Sequence, residues 1–424
     1  MKLYKSINQY ILEKSAGFRC GITLPFQEVE NTFSDIEGIF NISVPNDAVE
    51  PWQSASGSIN RDKNYAIMGA IAESLERYSS AVTDFPVKKL SEIGDEKVIL
   101  HGEFSLFSEE QYNNPNFIWK KVDLNDAFFG EVYSLYDNEK VWVPQELIGL
   151  GTKVNPALLP STSTGVAAHF DEYQALLLAT EEMLERDALA TYWLNSLGGR
   201  EIQLAAKYLE PVLSRNGKVY CFDVTQDWNP YPVIMICGYL KQRNKKRISM
   251  GVACRETYEK AIEKAYVEWM QGCIFAGFYD VYHPNLKLKN PDDLKSFDEH
   301  AVYYTLYPEL WEKVPLIKKR ITYDHSVKKD NIKITDYNPK NVLEDLLEKL
   351  EKEKIRIFYR DITSKDVKET GLKVVRVLSP ELSLIHGDES TPFLGGKTSD
   401  VSWRYAHIPV KDIDFPNKFP HPLG

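Results

Sequence analysis

Two runs of the chain carry the same charged triplet at the same spacing. In EEMLERDA, Glu182, Glu185 and Arg186 stand at i, i+3 and i+4, and in ESLERYSS, Glu73, Glu76 and Arg77 repeat the pattern. On a helix these positions share one face, so each run offers two carboxylates and a guanidinium together. Hard carboxylate oxygens suit Mg²⁺, and a planar guanidinium suits phosphate oxygens. A third run, EWMQ, sets Glu268 and Gln271 one turn apart. Taken singly, each motif reads most simply as an exposed ion-pair ladder, since such pairs are common and weak. Taken together, three helices could turn their polar pairs toward one buried site. Close carboxylate pairs would then repel by about 4 kcal/mol each at intermediate dielectric, and a bound cation is the natural neutraliser. Mg²⁺ takes a few carboxylates plus substrate phosphates, so a nucleoside triphosphate is the expected ligand, with Arg77, Arg186 and Arg376 facing its phosphate oxygens.

The elements that must position these residues are legible in outline. Asp171 stands where a helix N-cap belongs, and Ala175, Leu176, Ala179, Met183 and Leu184 follow at helical spacing. A small-residue loop, Lys153 to Thr164, leads into that helix, and a Ser/Gly loop, Ser54 to Ser58, precedes the Ala-rich helix carrying Glu73. Residues 1–50 read as an irregular, partly β segment, and residues 86–150 as β structure with a hairpin turning at Asp137–Lys140. Val219 to Thr225 predicts a buried strand ending in Asp-Val-Thr, with Pro232 to Cys237 as its partner. Ile355 to Thr363, ending in Asp-Ile-Thr, repeats that unit with Lys373 to Leu378. Residues 276–350 read as peripheral helical cover, with Leu343, Leu346, Leu347 and Leu350 on one face. The echo of strand and helix units predicts an α/β (α+β) fold, one domain over 51–424 built by internal duplication around a central site.

Composition narrows the function classes. With 424 residues, 43% of them hydrophobic, the chain can bury a large core, and its longest apolar run, around Val233 to Leu240, is too short to span a bilayer. No secretory signal opens the sequence, so a cytoplasmic location without membrane attachment is the expectation. Five cysteines without a CxxC, and eight histidines without HxH, HxxxH or HExxH, leave disulfide frameworks and zinc hydrolysis without support. A net charge of −10 argues against nucleic-acid binding. Gly395-Gly396-Lys397-Thr398 ends like a P-loop, but Thr391 stands where its first glycine is required; Gly149-Leu-Gly151 lacks the third glycine of a dinucleotide fingerprint.

In order along the chain, SLERY after an Ala-rich helix, STGVAA then EEMLERDA, EWMQ, and DITSKDVKETGLKVVRVLSPEL resemble the YcaO family of ATP-dependent peptide-modifying proteins, from about residue 50 to the C-terminus. The family's SxxExxER signature falls at Ala70, Glu73, Glu76 and Arg77, with alanine in the serine's place. Its second region falls at Thr162 to Ala168 and Glu182, Glu185 and Arg186, and its ExxQ at Glu268 and Gln271. The resemblance implies a YcaO-type fold around a central ATP site without a P-loop, with Mg²⁺ at Glu73, Glu76, Glu182 and Glu185, and ATP at Arg77, Arg186, Glu268, Gln271 and Arg376. A lysine common in the family's glycine loop is absent; Ser58 follows Gly57, and Ser58 with Arg61, or Lys63, is expected to serve instead.

Azoline-forming members end in a PxPxP tail that reaches the active site. This chain ends Phe419-Pro420-His421-Pro422-Leu423-Gly424, a PxPxG, which implies catalytic roles for Pro420, Pro422 and Gly424 within a tail at 415–424. The implied activity is an ATP- and Mg²⁺-dependent cyclodehydratase forming thiazoline or oxazoline from Cys, Ser or Thr in a ribosomal precursor peptide. The expected partners are that peptide, a ubiquitin-activating-like protein that binds its leader, and a flavin-dependent azoline oxidase, in a homodimer or hetero-oligomer. The alternatives are a thioamide- or amidine-forming enzyme of the same family, and a non-catalytic nucleotide-binding regulator.

Overall fold

A computed structural model describes residues 7–17, 19, 21–29, 39–45, 56–104, 106–150, 157–242, 244–324 and 337–424. Cys20, Ser54 and Gly151, and the first part of the loop expected from Lys153, lie outside the described residues. The strands are β1 (Gln27–Glu28), β2 (Phe40–Val44), β3 (Ser56–Asn60), β4 (Val87–Lys89), β5 (Phe128–Ser134), β6 (Lys140–Pro144), β7 (Val166–His169), β8 (Arg200–Glu201), β9 (Lys218–Asp223), β10 (Val233–Gln242), β11 (Lys245–Cys254), β12 (Ile321–Thr322), β13 (Phe358–Asp361) and β14 (Lys373–Leu378). The longer helices are α1 (Ile7–Ser15), α2 (Lys63–Val82), α3 (Glu172–Leu194), α4 (Ala206–Leu213), α5 (Tyr258–Tyr282), α6 (Phe297–Leu306) and α7 (Pro339–Lys352).

The strands form three sheets: β1-β2-β3, then β11-β10-β9-β8-β12, then β4-β5-β13-β14-β7 with β6 also paired to β5. Three long helices link them in a ring. Helix α2 lies on β2 and β3 and reaches β7 and β14; α3 lies on β14 and β7 and reaches β11 and β10; α5 lies on β11 and β10 and reaches β3. Each helix therefore packs between two sheets, and its polar face has one direction left to turn, toward the centre of the ring.

The mixed α/β fold follows the sequence reading, including the β5–β6 hairpin and the antiparallel pairs β9–β10 and β13–β14 that the Asp-Val-Thr and Asp-Ile-Thr runs predict. The hairpin turn puts Asn138 at φ 59, a conformation asparagine tolerates well. Three features of the structure add to that reading. The repeated unit is threefold, because β3–α2, β7–α3 and β11–α5 are each a strand running directly into a site helix. The expected boundary at residue 50 does not divide the fold, since β2 pairs with β3 along its whole length, from Phe40↔Asn60 to Val44↔Ser56. The expected peripheral cover begins inside α5, and its helix α6 packs on β11, where the Ile248 N–H donates to Thr305 Oγ1 at 2.9 Å, with His300, Val302 and Tyr304 buried. Helix α7 does bury Leu343, Leu346, Leu347 and Leu350 as its spacing requires. Cys221, Cys237, Cys254 and Cys273 are buried free thiols.

Candidate functional site

The three site helices begin from side-chain caps. Asp62 accepts from the Asn64 and Tyr65 amides, Asp171 from Gln174, and the Thr257 hydroxyl from Lys260. Glu73, Glu182 and Glu268 each stand eleven residues beyond their cap. At a rise of about 1.5 Å per residue the three carboxylates reach the same height along their helices. A glycine in the strand before each helix, or directly before that strand, lies opposite that height. The Gly57 N–H donates to Glu73 Oε2 at 3.1 Å, and the Gly165 N–H donates to Glu182 Oε2 at 3.0 Å. In the third unit a Cβ on Gly251 would sit 2.9 Å from the Glu268 Cβ, so only glycine lets that strand and helix meet. Gly165 adopts φ +85, where a side chain would also strike the Val377 carbonyl at 2.3 Å.

The helices converge as their spacing predicts. A methyl group at Gly57 would lie 3.2 Å from Gln271 Nε2, which places the third helix against the first unit. Burial pushes the Glu76 carboxyl well above the usual range; Arg77 opposes the shift, and the negative fields of Glu182 and Glu73 reinforce it. Burial likewise pushes Glu185 up to about 8, with Arg186 opposing and Glu268 and Glu182 reinforcing. The chain of neighbours thus runs from Glu73 through Glu76, Glu182 and Glu185 to Glu268. The leading glutamate of each motif has its own cation: Arg77 at 3.7 Å from Glu73, Arg186 at 3.4 Å from Glu182, and Lys264 at 2.8 Å from Glu268.

Arg376, at the centre of β14, is 1% exposed. Its Nη1 donates to the Thr162 carbonyl at 2.7 Å, while Nε and Nη2 are buried without a partner. Burial lowers this guanidinium to about 10, although Glu182 and Glu76 favour its charge. Arg186 Nε, also buried without a hydrogen bond, is ion-paired with Glu185 Oε1 at 3.4 Å. Unpaired buried donors beside carboxylates fit an anion that brings its own cation. Among the described residues no three His, Cys, Asp or Glu side chains lie close enough to hold a metal by themselves.

Two expected ATP contacts are placed elsewhere. Arg61 forms an exposed ion pair with Glu263 at 2.9 Å, and Lys63 is held by Glu28. Each lies where solvent and a nearer carboxylate claim the charge. Ser58 turns its hydroxyl against Gly69 of α2, within 2.4 Å of where a Cβ there would sit, and not onto the carboxylates. Ala70 is buried in the core. Sequence reasoning missed Glu181 and Arg255. Burial pushes Glu181 up to about 8, with Arg255 opposing, and Arg255 Nη1 lies 3.3 Å from Glu181 Oε2. The signal available was Glu181 itself, one turn before Glu185 and directly beside Glu182.

The C-terminal tail is ordered and docked beside the site. Helix α3 leaves carbonyls unsatisfied at its C-terminus, and the tail answers them. The Asn417 N–H donates to Leu194 O at 2.7 Å, Asn417 Nδ2 to Trp193 O at 2.9 Å, and the Asp414 N–H to Asn195 O at 3.1 Å. Three successive tail carbonyls are held in turn: Phe419 O by Trp193 Nε1 at 2.6 Å, Pro420 O by the Tyr304 hydroxyl at 2.8 Å, and His421 O by His300 Nδ1 at 2.9 Å. Pro420 and Pro422 are buried, while Gly424 is exposed with its Cα against Ala301. His421 lies in the field of Arg186, so the tail reaches the edge of the carboxylate cluster.

His421 stacks on His300 with centroids 4.0 Å apart and meets His386 at 5.2 Å, with Glu389 3.0 Å from His386. Burial drives His300 down to about 4 and His421 well below its ordinary value. A base lowered on folding is neutral in the docked state, so its contribution is complete above the ordinary pH of about 6.5 and is lost as pH falls toward the folded value. Acidification from pH 7.5 to 4.5 is therefore expected to release the tail. NMR of the histidine rings checks this: His300 should titrate below pH 5, and a midpoint near 6.5 would show that the cluster does not hold it.

A family model described as YcaO cyclodehydratase, ATP- and Mg²⁺-binding, matches residues 60–383, well over half of the chain. A search of curated proteins by sequence found no match. Among solved structures, a heterocyclase in complex with substrate and cofactor superposes with a TM-score of 0.76 at 17% identity, covering 98% of this chain and 57% of the heterocyclase. The YcaO protein of Methanopyrus kandleri bound with AMPPCP and Mg²⁺ superposes at 0.61 with 15% identity, over 88% of each chain. The E. coli microcin synthetase McbBCD complex gives 0.60 at 16% identity, over 87% of this chain and 90% of the matched one. At these identities the likeness is one of fold. The chain spans little more than half the length of the first heterocyclase, and no helix among the described residues is long and apolar enough to cross a membrane.

Proposed function

The chain belongs to the YcaO family, and from that premise we propose that it is an ATP- and Mg²⁺-dependent cyclodehydratase of ribosomally made peptides. In that reaction a Cys, Ser or Thr side chain of the peptide attacks the preceding backbone carbonyl. The amide oxygen takes a phosphoryl group and departs as phosphate, leaving a thiazoline or oxazoline. ATP would supply the phosphoryl group, and Mg²⁺ ions, each held by one or two of Glu73, Glu76, Glu182 and Glu185 together with phosphate oxygens, would offset the charge of cluster and phosphates. The chain's own part is orientation and charge. Arg376, Arg186 and Arg77 hold phosphate oxygens, Glu268 and Gln271 close the third side, and the docked tail of Pro420, Pro422 and Gly424 places the amide.

The observation that carries this reading is Arg376, a buried guanidinium with two donors free beside two carboxylates. The tail favours azoline formation over the thioamide- or amidine-forming alternative, because Asn417 and the Phe419 carbonyl dock it on the C-terminal end of the helix that bears Glu182, Glu185 and Arg186. In this reading the chain works with a protein that binds the peptide's leader, with an oxidase acting afterwards. Incubation with ATP, Mg²⁺, that partner and a Cys/Ser/Thr-rich peptide should remove one water mass per ring formed, with phosphate release. Deleting Pro420 to Gly424 should stop ring formation while ATP binding persists. An unchanged peptide mass with no phosphate released would remove the cyclodehydratase reading.

A further inference from the structure

The threefold repeat is incomplete in one respect. The first two units place an arginine four residues after the leading glutamate, Arg77 after Glu73 and Arg186 after Glu182, and each pairs with it. The corresponding residue of α5 is Gly272. No side chain fits there, since a Cβ would sit 1.9 Å from the Ser249 hydroxyl. The third helix must lie close to β11, and that approach excludes an arginine.

A cation reaches the same carboxylates from outside the helix. Arg255 stands two residues before the Thr257 cap, and its backbone N–H donates to Pro232 O at 3.2 Å. Nη1 donates to Cys254 O at 2.5 Å and to Glu181 Oε2 at 3.3 Å. Among the described residues Nε and Nη2 make no hydrogen bond, and the side chain is 19% exposed. Burial disfavours its charge, yet the fields of Glu181, Glu185 and Glu268 hold it above the ordinary value. Lys264, the other cation beside Glu268, is a poorer candidate, because its side chain is 47% exposed and its ammonium is given to that carboxylate.

We propose that Arg255 is a third phosphate-binding arginine of this site, supplied from the loop before α5 because the helix itself cannot carry one, and anchored through Glu181 so that its two remaining donors face the ligand. The inference rests on the nucleotide reading above. Glu181 is a positioning residue, holding one edge of the guanidinium so that the other edge is presented in a fixed plane.

The test is direct binding of Mg²⁺ and a non-hydrolysable ATP analogue to the full chain by calorimetry, with adenosine as the phosphate-free control. Arg255→Ala should weaken the analogue about ten- to a hundredfold, the scale of losing charge-assisted hydrogen bonds to phosphate. Adenosine binding should change less than twofold. Arg255→Lys should recover part of the loss. Because the alanine variant leaves Glu181 buried without its counter-charge, Glu181→Gln combined with Arg255→Ala provides a folded alternative in which the same loss is expected. Analogue binding within twofold of the unaltered chain in both alanine variants, or an equal loss for adenosine, overturns the assignment. No binding by the unaltered chain would remove the nucleotide reading as well, which separates the two failures.

Discussion

Arg376→Met is expected to lower turnover about a thousandfold or more, the scale of an arginine that stabilises a transferring phosphoryl group, while leaving the free protein at least as stable. The two effects have one cause. The guanidinium is held at about 10 by burial, below its ordinary 12.5, so at neutral pH the fold bears its charge at a cost on the order of 3 kcal/mol. The sign is unambiguous, since a base depressed on folding destabilises the fold wherever it is charged, and arginine is charged at every working pH. A methionine of similar length removes that penalty and fills the space. Under the proposed nucleotide reading, binding should reverse the balance by giving the unpaired Nε and Nη2 acceptors. The unaltered chain should therefore gain far more thermal stability from Mg²⁺ and nucleotide than the variant does. Thermal unfolding with and without the ligand, beside steady-state turnover, tests both halves. A variant that melts earlier without ligand, or that keeps more than a tenth of the activity, would show that Arg376 is held for structural reasons.

How far such a site is readable from sequence depends on whether its geometry is local. The i, i+3, i+4 spacing of Glu182, Glu185 and Arg186 fixes a shared face without reference to the rest of the fold, and Asp171 marks where the helix must begin. Convergence of three helices was also inferable, because identical polar pairs on separate helices have few other uses. What α3 packs against was not. Its sequence suggested an amphipathic helix, whereas Thr180, Glu181, Glu185, Asp187 and Thr191 are buried along with the apolar face. A helix between two sheets is covered on nearly every side, and its charges need partners from far along the chain. Arg61 shows the converse dependence on the rest of the fold. It stands near the right glycine in sequence, but Glu263 on α5 lies nearer in space. The tail motif announced proline-stiffened backbone, yet its receptors Trp193, Tyr304 and His300 come from two helices with no signature of their own.

Asp187 follows Arg186 directly but pairs away from the glutamates, with Arg404, and breaking that pair should be the most destabilising single change outside the site. Asp187 and Arg404 are both fully buried. Arg404 Nε lies 2.8 Å and Nη2 2.6 Å from its carboxylate oxygens. The carboxylate also accepts from the Ser383 N–H at 2.8 Å and Gln226 Nε2 at 3.0 Å, while Arg404 Nη1 donates to the carbonyls of Lys397 and Asp400. Four segments meet there: α3, the turn after β9, the loop after β14, and the stretch leading to the tail. Arg404→Met leaves a carboxylate buried without its cation and should cost about 3–5 kcal/mol, whereas Asp187→Leu with Arg404→Met removes both charges and should recover much of that loss. Urea denaturation of the single and double variants measures the difference. Recovery of stability should not bring recovery of activity, because the pair also fixes where α3 presents Glu185 and Arg186 relative to the tail. If the double variant regained full turnover along with its stability, the pair would act through stability alone, and the register of the tail on α3 would have to come from the Asn417 and Trp193 contacts.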